Sequence, residues 1–567
     1  MRSLITLLAI ILGSSLCNFT QSQNVIWAKQ MGGFGNESSA AVIVDNSGSI
    51  YNTGRFEDTA DFDPMPTNFD LASFGEGDIF VSKQDASGNL VWAKQFGGKD
   101  YDAGTSIKFG SNGDLYVTGY FSDTADFDPG SGTYNLISAG SLDIFICKLD
   151  SSGNFIWAKQ FGAADFDIGN SIAIDGNDNV FVTGYFSGTI DFDPGVGVTN
   201  LSSPYDQVFI VKLDSAGDFV LAKQFGGLGE NKGNAIAIDD TGNIYTCGSF
   251  RTSTDFDPGP GAFSLTPVGM FPYYTDVFIS KLNSVGDFVW AKSIGGVDHD
   301  RANAIVLDDV GNIFLTGFFG DTCDFDPGNS NYDLISFGWT DIFIAKLDNS
   351  GNFIFANQFG GIGNEEGLSI AIGPNGNIYS AGCFTDACDF DPGSGTYILN
   401  SYSSGFDLYF SALDNSGNFI STFSLGHVAD DRCTSIFLDN SGNAFLAGSF
   451  QSQVDFDPGP NVNILYAFGA FPDIYVMKVS DISSGVSEAN FVFDALSVFP
   501  NPGSGTISVV NDFVIDEIKV SNLLGEIVFC AKPKEKSVNF NLTNSGIYTV
   551  QLISAGKMVV RKVIICK

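Results

Sequence analysis

The tetrapeptide Asp-Phe-Asp-Pro begins at Asp61, Asp126, Asp191, Asp255, Asp324, Asp389 and Asp455, at spacings of 65, 65, 64, 69, 65 and 66 residues. A second marker, Trp-Ala-Lys-Gln, stands at Trp27, Trp92 and Trp157. It recurs in degraded form from Leu221, Trp290, Phe355 and Ser421 in the same phase. Seven copies of one unit therefore occupy residues 27–480, and each copy must bury its apolar face on a neighbour.

Within the second copy, residues 106–109, 114–121, 143–149 and 154–160 read as strands. Ser-Asn-Gly at 111–113 and Ser-Ser-Gly-Asn at 151–154 supply the positive-φ positions that short hairpins require. Seven units of four antiparallel strands make a sheet too large to stay flat, and radial repetition leaves only short, protected edges. The phase of the repeat points the same way. Residues 24–30 form a lone fourth strand and residues 473–479 a third strand without a partner, so joining them completes a seventh blade from both ends. An open superhelical stack, the alternative, needs no such closure. The predicted fold is all-β: a seven-bladed β-propeller at residues 24–480, a linker at 481–495 and a small C-terminal β-sandwich at 496–567.

Composition narrows the partners. Of 65 acids only ten are Glu, and 27 bases leave a formal charge of −38. Such a surplus repels phosphates and anionic headgroups, which argues against nucleic acid and membrane surfaces as partners. Residues 24–480 hold 57 acids against 18 bases, whereas residues from 496 onward hold five against eight. Residues 1–22 read as a secretory signal peptide, with one basic residue, a short apolar run and small residues before a cleavage point after Ser22. No later segment is long and apolar enough for a membrane helix, so the chain is not expected to be an integral membrane protein.

The units, typified by Ser171-Ile-Ala-Ile-Asp175 and Lys148-Leu-Asp-Ser-Ser-Gly-Asn154, resemble the bacterial seven-bladed β-propeller repeat family. That resemblance implies fold and extracellular use, and the family has no single assigned activity. Further on, Val498-Phe-Pro-Asn-Pro-Gly503, Ile518-Lys-Val-Ser-Asn-Leu-Leu-Gly-Glu-Ile527, Ser545-Gly-Ile-Tyr-Thr-Val-Gln-Leu552 and Lys562-Val-Ile-Ile-Cys-Lys567 resemble the C-terminal sorting domain of type IX secretion substrates in Bacteroidetes-type bacteria. This second resemblance implies recognition of residues 496–567 by the type IX secretion machinery. It also implies a secreted or cell-surface location.

Candidate functional residues follow from the repeat. Asp61, Asp63, Asp126, Asp128, Asp191, Asp193, Asp255, Asp257, Asp324, Asp326, Asp389, Asp391, Asp455 and Asp457 should ring one face of the disc, because all seven loops join strand two to strand three. Residues i and i+2 of an extended segment point the same way, so each Asp pair could offer oxygens to Ca²⁺. The structural alternative is that the Asp residues accept backbone N–H bonds in a turn while Phe packs between blades. No cofactor is required by any motif. Loop aromatics Phe271, Tyr273, Tyr274 and Trp339 are candidates for stacking on sugars or anchoring a protein. Alternatively they seal gaps between blades. Cys383 with Cys388, and Cys530 with Cys566, are disulfide candidates in an exported chain, beside the reading of small buried thiols. The two His, His299 and His427, sit in different repeats, and no Gly-x-Ser-x-Gly elbow is present, so a serine triad is unsupported. The functional expectation is a non-catalytic binding or adhesion module for glycan or protein. A carboxylate-dependent polysaccharide-degrading enzyme and a structural surface-layer component are the alternatives.

Overall fold

The computed structural model describes residues 25–480 except 66, 270–272 and 460. In the C-terminal region it describes 497–499, 506–515, 517–522, 527–542, 546–554 and 557–565. Residues 1–24 and 481–496, which hold the expected signal peptide and linker, lie outside the described residues.

Seven four-stranded antiparallel blades form a closed ring. In blade two the strands are Ala103–Phe109, Leu115–Phe121, Asp143–Leu149 and Phe155–Phe161, running from the channel outward. Blade seven is assembled from both ends of the propeller. Arg432–Leu438, Ala444–Phe450 and Asp473–Val479 are completed by the outer strand Val25–Gly33, which pairs antiparallel with Asp473–Val479 from Met31↔Ile474 to Val25↔Val479. Alternation puts two opposite apolar faces on each central strand, so the seams between blades carry the core. Phe121, Phe127, Phe145 and Ile107 pack in one such cluster, and Phe127 meets Phe121 edge-on at 5.4 Å.

The short hairpins turn on Asp and Gly as expected. Asp150 Oδ1 accepts the N–H groups of Ser152 and Asn154 at 2.8 and 2.9 Å, and Gly153 takes φ +77°. The Trp of Trp-Ala-Lys-Gln explains its own repetition: Trp92 lies over Gly153 of the next blade, where a Cβ would meet the indole at 3.1 Å.

At the other end of the seams each blade meets the next through a buried polar pair. Asp78 opens the third strand of blade one and Asp102 precedes the inner strand of blade two; both are fully buried. The equivalents are Asp143 with Asp167, Asp276 with Asp300, Asp341 with Glu365, Asp407 with Asp431, and Asp473 with Glu37 across the closure. Blade three meets blade four through two amides instead, and Asn231 Nδ2 donates to Gln207 Oε1 at 2.9 Å. In the acid pairs, Oδ1 of Asp78, Asp143, Asp276, Asp407 and Asp473 has no hydrogen-bond donor among the described residues. Two ionised carboxylates cannot bond one another; Glu37 with Asp473 and Asp341 with Glu365 lie within hydrogen-bond reach, where one shared proton supplies the bond that the amide pair makes outright. Burial, reinforced by the neighbouring Asp78, pushes Asp102 up to about 8, and burial with the charge of Asp341 pushes Glu365 up to about 9. The Gln of Trp-Ala-Lys-Gln belongs to this seam, because Gln95 Nε2 donates to Asp78 Oδ2 at 2.8 Å.

The Gly that follows each outer strand is equally constrained. At Gly97, with φ +151°, a Cβ would lie 2.6 Å from Asp78 Oδ1 and 2.8 Å from Asp102 Oδ2.

The chain forms two compact units, which meet between Ser483 and Ser484 in the sequence. The second unit has a three-stranded sheet of Ser497–Phe499, Thr506–Ile515 and Glu535–Asn541. Its other sheet is four-stranded, in the order Ile527–Ala531, Glu517–Asn522, Gly546–Ser554, Lys557–Ile565. Ile507, Val509 and Phe540 of the first sheet and Ile518, Val520 and Tyr548 of the second share one core.

Neither expected disulfide stands among the described residues. Cys383 and Cys388 are buried free thiols. Cys388 packs with Phe384 and Phe390, whereas Cys383 precedes Phe384 on a strand and so faces the other way, toward Arg432. Cys530 is an exposed free thiol on an edge strand, and Cys566 lies outside the described residues.

Two outcomes follow from the seams. In the unfolded chain the paired carboxyls titrate near 4, but in the native ring one member of each pair holds its proton to higher pH. The native state therefore binds more protons between these limits, and stability falls as pH rises from about 5 to 9. The double variant Asp78→Gln/Asp102→Asn, which transplants the amide pair, should match the wild type near pH 5 and exceed it near pH 9 by on the order of 1–3 kcal/mol. Thermal melts across that range would show it, and parallel profiles would refute the retained proton. Separately, Gly97→Ala should lower stability by about 2–4 kcal/mol, read by denaturant unfolding.

Candidate functional site

Each Asp-Phe-Asp-Pro loop is a hairpin, and those at Asp61, Asp126, Asp255, Asp324 and Asp389 pair with the end of the outer strand of the preceding blade, whereas the one at Asp191 extends the strands of its own blade. Ala60 and Asp61 pair with Gly33 and Gly32, Asp255 with Gly226, Asp324 with Gly295, and Asp389 with Gly360. The loops and the blade-to-blade connections consequently share one face, with the hairpins at its rim.

In all seven hairpins the first Asp uses Oδ1 to hold the turn. Asp126 Oδ1 accepts from Asp128 N at 3.0 Å and Tyr134 N at 2.8 Å. Asp61, Asp191, Asp255, Asp324, Asp389 and Asp455 repeat this pair of bonds. The second Asp accepts from the residue two ahead: Asp63 from Met65, and Asp128, Asp193, Asp257, Asp326, Asp391 and Asp457 from Gly. The Phe between them is fully buried in every copy. Backbone satisfaction thus accounts for the repetition of both carboxylates. Among the described residues no group of three or more His, Cys, Asp or Glu is placed to hold a metal ion.

Inside this acidic rim the face changes character. All four arginines of the propeller, Arg55, Arg251, Arg301 and Arg432, lie at the ends of inner or second strands on this face, where the channel opens. Lys232 joins them. Arg55 pairs with Glu57 at 3.5 Å and lies over Tyr101. Arg251 pairs with Glu230 at 2.8 Å and lies over Tyr273. Lys232 pairs with Asp206 at 3.7 Å over Tyr185, and Arg432 with Glu366 at 3.8 Å over Phe406. Each of these four cations has an acid and an aromatic ring to hold it. Arg301 has neither among the described residues: it is exposed on the inner strand of blade five and makes no ion pair with them. Tyr185 of blade three and Glu366 of blade six are the groups whose charges reach it. Partial burial lowers its guanidinium below the usual arginine range, and the charges of Glu366 and Tyr185 oppose that shift.

Around the mouth stands a ring of exposed apolar side chains in the connections, among them Phe34, Phe74, Phe166, Trp339, Tyr402 and Phe471, from 53% to 77% exposed. Trp339 and Tyr273 of the expected aromatics are exposed here. Tyr274 is half-buried and meets His299 edge-on at 4.9 Å, and Phe271 lies outside the described residues. The second histidine, His427, stacks on Tyr402 at 4.3 Å. The cluster of arginines went unread in the sequence, although four arginines at the equivalent ends of two strands in an acidic chain were the available signal.

A β-propeller repeat model matches residues 156–188, and a secretion system C-terminal sorting domain model matches residues 497–566. The chain is 23% identical over 297 residues to an uncharacterized WD repeat-containing protein of Acanthamoeba polyphaga mimivirus, covering 45% of this chain and 21% of that one. It is 26% identical over 170 residues to the regulatory protein FlaEY of Caulobacter vibrioides, covering 30% and 17% respectively. The chain thus spans about a fifth of the length of these curated relatives. A solved structure of PorZ, a surface component of the type-IX secretion system of Porphyromonas gingivalis, aligns over 95% of this chain and all of its own. Its identity is 11% and its TM-score 0.19, too low for a common overall superposition. No helix among the described residues is long and apolar enough to cross a membrane. The repeat, the closed ring of blades and the sorting domain together identify the chain as a seven-bladed β-propeller repeat protein that is exported through the type IX secretion system to the cell surface or beyond.

Proposed function

We propose that this protein is a non-catalytic binding or adhesion module whose working surface is the hairpin face of the propeller. The observation that carries this reading is the ring of exposed aromatic and aliphatic side chains on that one face. Large apolar side chains gathered on one face are expensive to leave in water and mark a contact site when they are rimmed by polar groups, as here by the Asp hairpins. Flat rings such as Trp339 and Tyr273 stack on sugar faces or anchor a protein partner. The opposite face carries short Asp-Gly hairpins whose Asp carboxylates are bonded to their own turns. Export sends this surface outside the cell, where such contacts are made.

The triple variant Phe74→Ser/Trp339→Ser/Tyr402→Ser should fold with an unchanged melting temperature and lose at least tenfold in binding on a glycan array or in adhesion to a host or biofilm matrix. Retention of full binding would move the working surface elsewhere. The acidic rim is tested separately. Asp126→Ala should lower stability by about 1–3 kcal/mol through loss of its two backbone bonds, equally with chelator and with excess Ca²⁺. A melting temperature that rises with Ca²⁺ in the wild type alone would assign the rim to a metal.

A further inference from the structure

The exposed apolar side chains of the hairpin face are not spread evenly around the ring. Each seam sets two connections side by side there: the one between the second and third strands of a blade, and the one that leads into the next blade. At the fifth seam Trp339 N donates to Gly363 O at 3.0 Å, and at the closing seam Glu37 N donates to Pro472 O at 3.0 Å. The first and second seams are tied alike, Glu76 N to Lys99 O at 3.3 Å and Leu142 N to Asp165 O at 3.4 Å. The side chains carried on this common backbone differ. At the fifth, sixth and closing seams both connections present a large apolar group: Phe337 beside Ile362, Tyr402 beside Val428 and Phe468 beside Phe34, from 54% to 74% exposed. A Cβ on Gly338 would lie 2.5 Å from the carbonyl carbon of Ile362, one on Gly469 would lie 3.4 Å from Phe34 Cα, and Tyr402 stacks on His427 at 4.3 Å. Trp339 adds to the fifth seam at the position that Glu76 and Ser141 hold in blades one and two. At the first seam the paired positions hold Phe74 and Lys99, and at the second Ala139 and Ala164, where Phe166 is the one large exposed ring. The apolar surface is therefore a crescent over blades five, six, seven and one, thinned at blade two.

The chemistry of the crescent selects its occupant. Phe34, Phe337, Phe468, Ile362 and Val428 carry no hydrogen-bonding side-chain group, so a saccharide laid over them would give up hydroxyl bonds to water with nothing in return. Apolar side chains of a protein lose nothing there, and aromatic and aliphatic anchors inside a polar rim are the usual core of a protein interface. Acids border this core closely. Asp321 and Asp386 are exposed, and their carbonyls accept the N–H groups of Ser336 and Ser401, the residues next to Phe337 and Tyr402, at 2.8 Å. With 57 acids against 18 bases in the propeller, two such faces brought together repel, which disfavours a second copy as the occupant. A basic surface is attracted instead. We propose that the crescent docks a partner protein whose contact surface has apolar side chains bordered by Lys and Arg. This rests on the hairpin face being the working surface and names what that face takes.

The test is fluorescence anisotropy of the full chain with three synthetic peptides of equal length, beside a neutral glycan array. One peptide has a core of Phe, Leu and Ile flanked by Lys, the second has the same core flanked by Glu, and the third has a Ser core flanked by Lys. The first should bind at least tenfold more tightly than either of the others. Phe34→Ser/Ile362→Ser/Phe468→Ser should lose at least tenfold in that binding, whereas Phe74→Ser/Phe166→Ser should keep it. The replaced side chains are exposed, so both variants should melt with the wild type. Equal losses in the two variants would overturn the crescent. Glycan binding that the first variant weakens, without binding of any peptide, would overturn the protein partner and leave the hairpin face standing. Binding that neither variant weakens would overturn the hairpin face itself, and no binding by any probe would overturn the docking role. A dimer in sedimentation that the first variant dissolves would give the crescent to a second copy and overturn the basic partner.

Discussion

Everything in the propeller depends on how one blade is fastened to the next. The fastening at the hairpin face is a pair of buried side chains at each seam, six of them acid on acid and one amide on amide. A pair of buried carboxyls is tolerable only if one is neutral, and at the third seam the Asn231–Gln207 bond meets the same requirement with uncharged groups. The Gly after each outer strand, the Gln of Trp-Ala-Lys-Gln and the first bonds of each inner strand are all arranged around these pairs. One requirement of charge thereby explains several positions of the repeat at once.

The rest of each seam is fastened by other means. Trp rings cover the Gly of the neighbouring hairpin, and side chains near the channel reach across: Asn170, Asn234 and Asn303 each donate to a backbone carbonyl of the next inner strand at 2.8–2.9 Å. Blade seven obeys the same rules with one difference, since its outer strand comes from the beginning of the propeller. Glu37 and Asp473 make the closing seam. The ring is thus sealed by the same polar pair that joins every other blade, together with a full antiparallel ladder.

This scaffold separates two charge environments on a single face. The Asp hairpins are spent on their own turns and on gripping the preceding blade, which leaves the rim negative but internally satisfied. The centre gathers the scarce arginines.

Much of this was legible in the chain. Period and hairpin chemistry specify strands, seven copies specify the ring, and the phase of the repeat specifies closure through Val25–Gly33, because each is a local or counting property. The role of Asp-Phe-Asp-Pro was legible to the level of two alternatives, and the pattern of hydrogen bonds at Asp126 and Asp128 was needed to account for it. The buried acids were hidden in plain composition: Asp78 and Asp102 look like any other Asp among 55, and only packing distinguishes a buried carboxyl from a solvated one. The Cys383–Cys388 disulfide failed for a related reason, since closeness in sequence says nothing of which face each thiol takes. Arg301 and Arg432 occupy the same place in their repeats, yet one is paired and the other is not. That difference arises from what other blades bring to each guanidinium, which is a property of three dimensions alone.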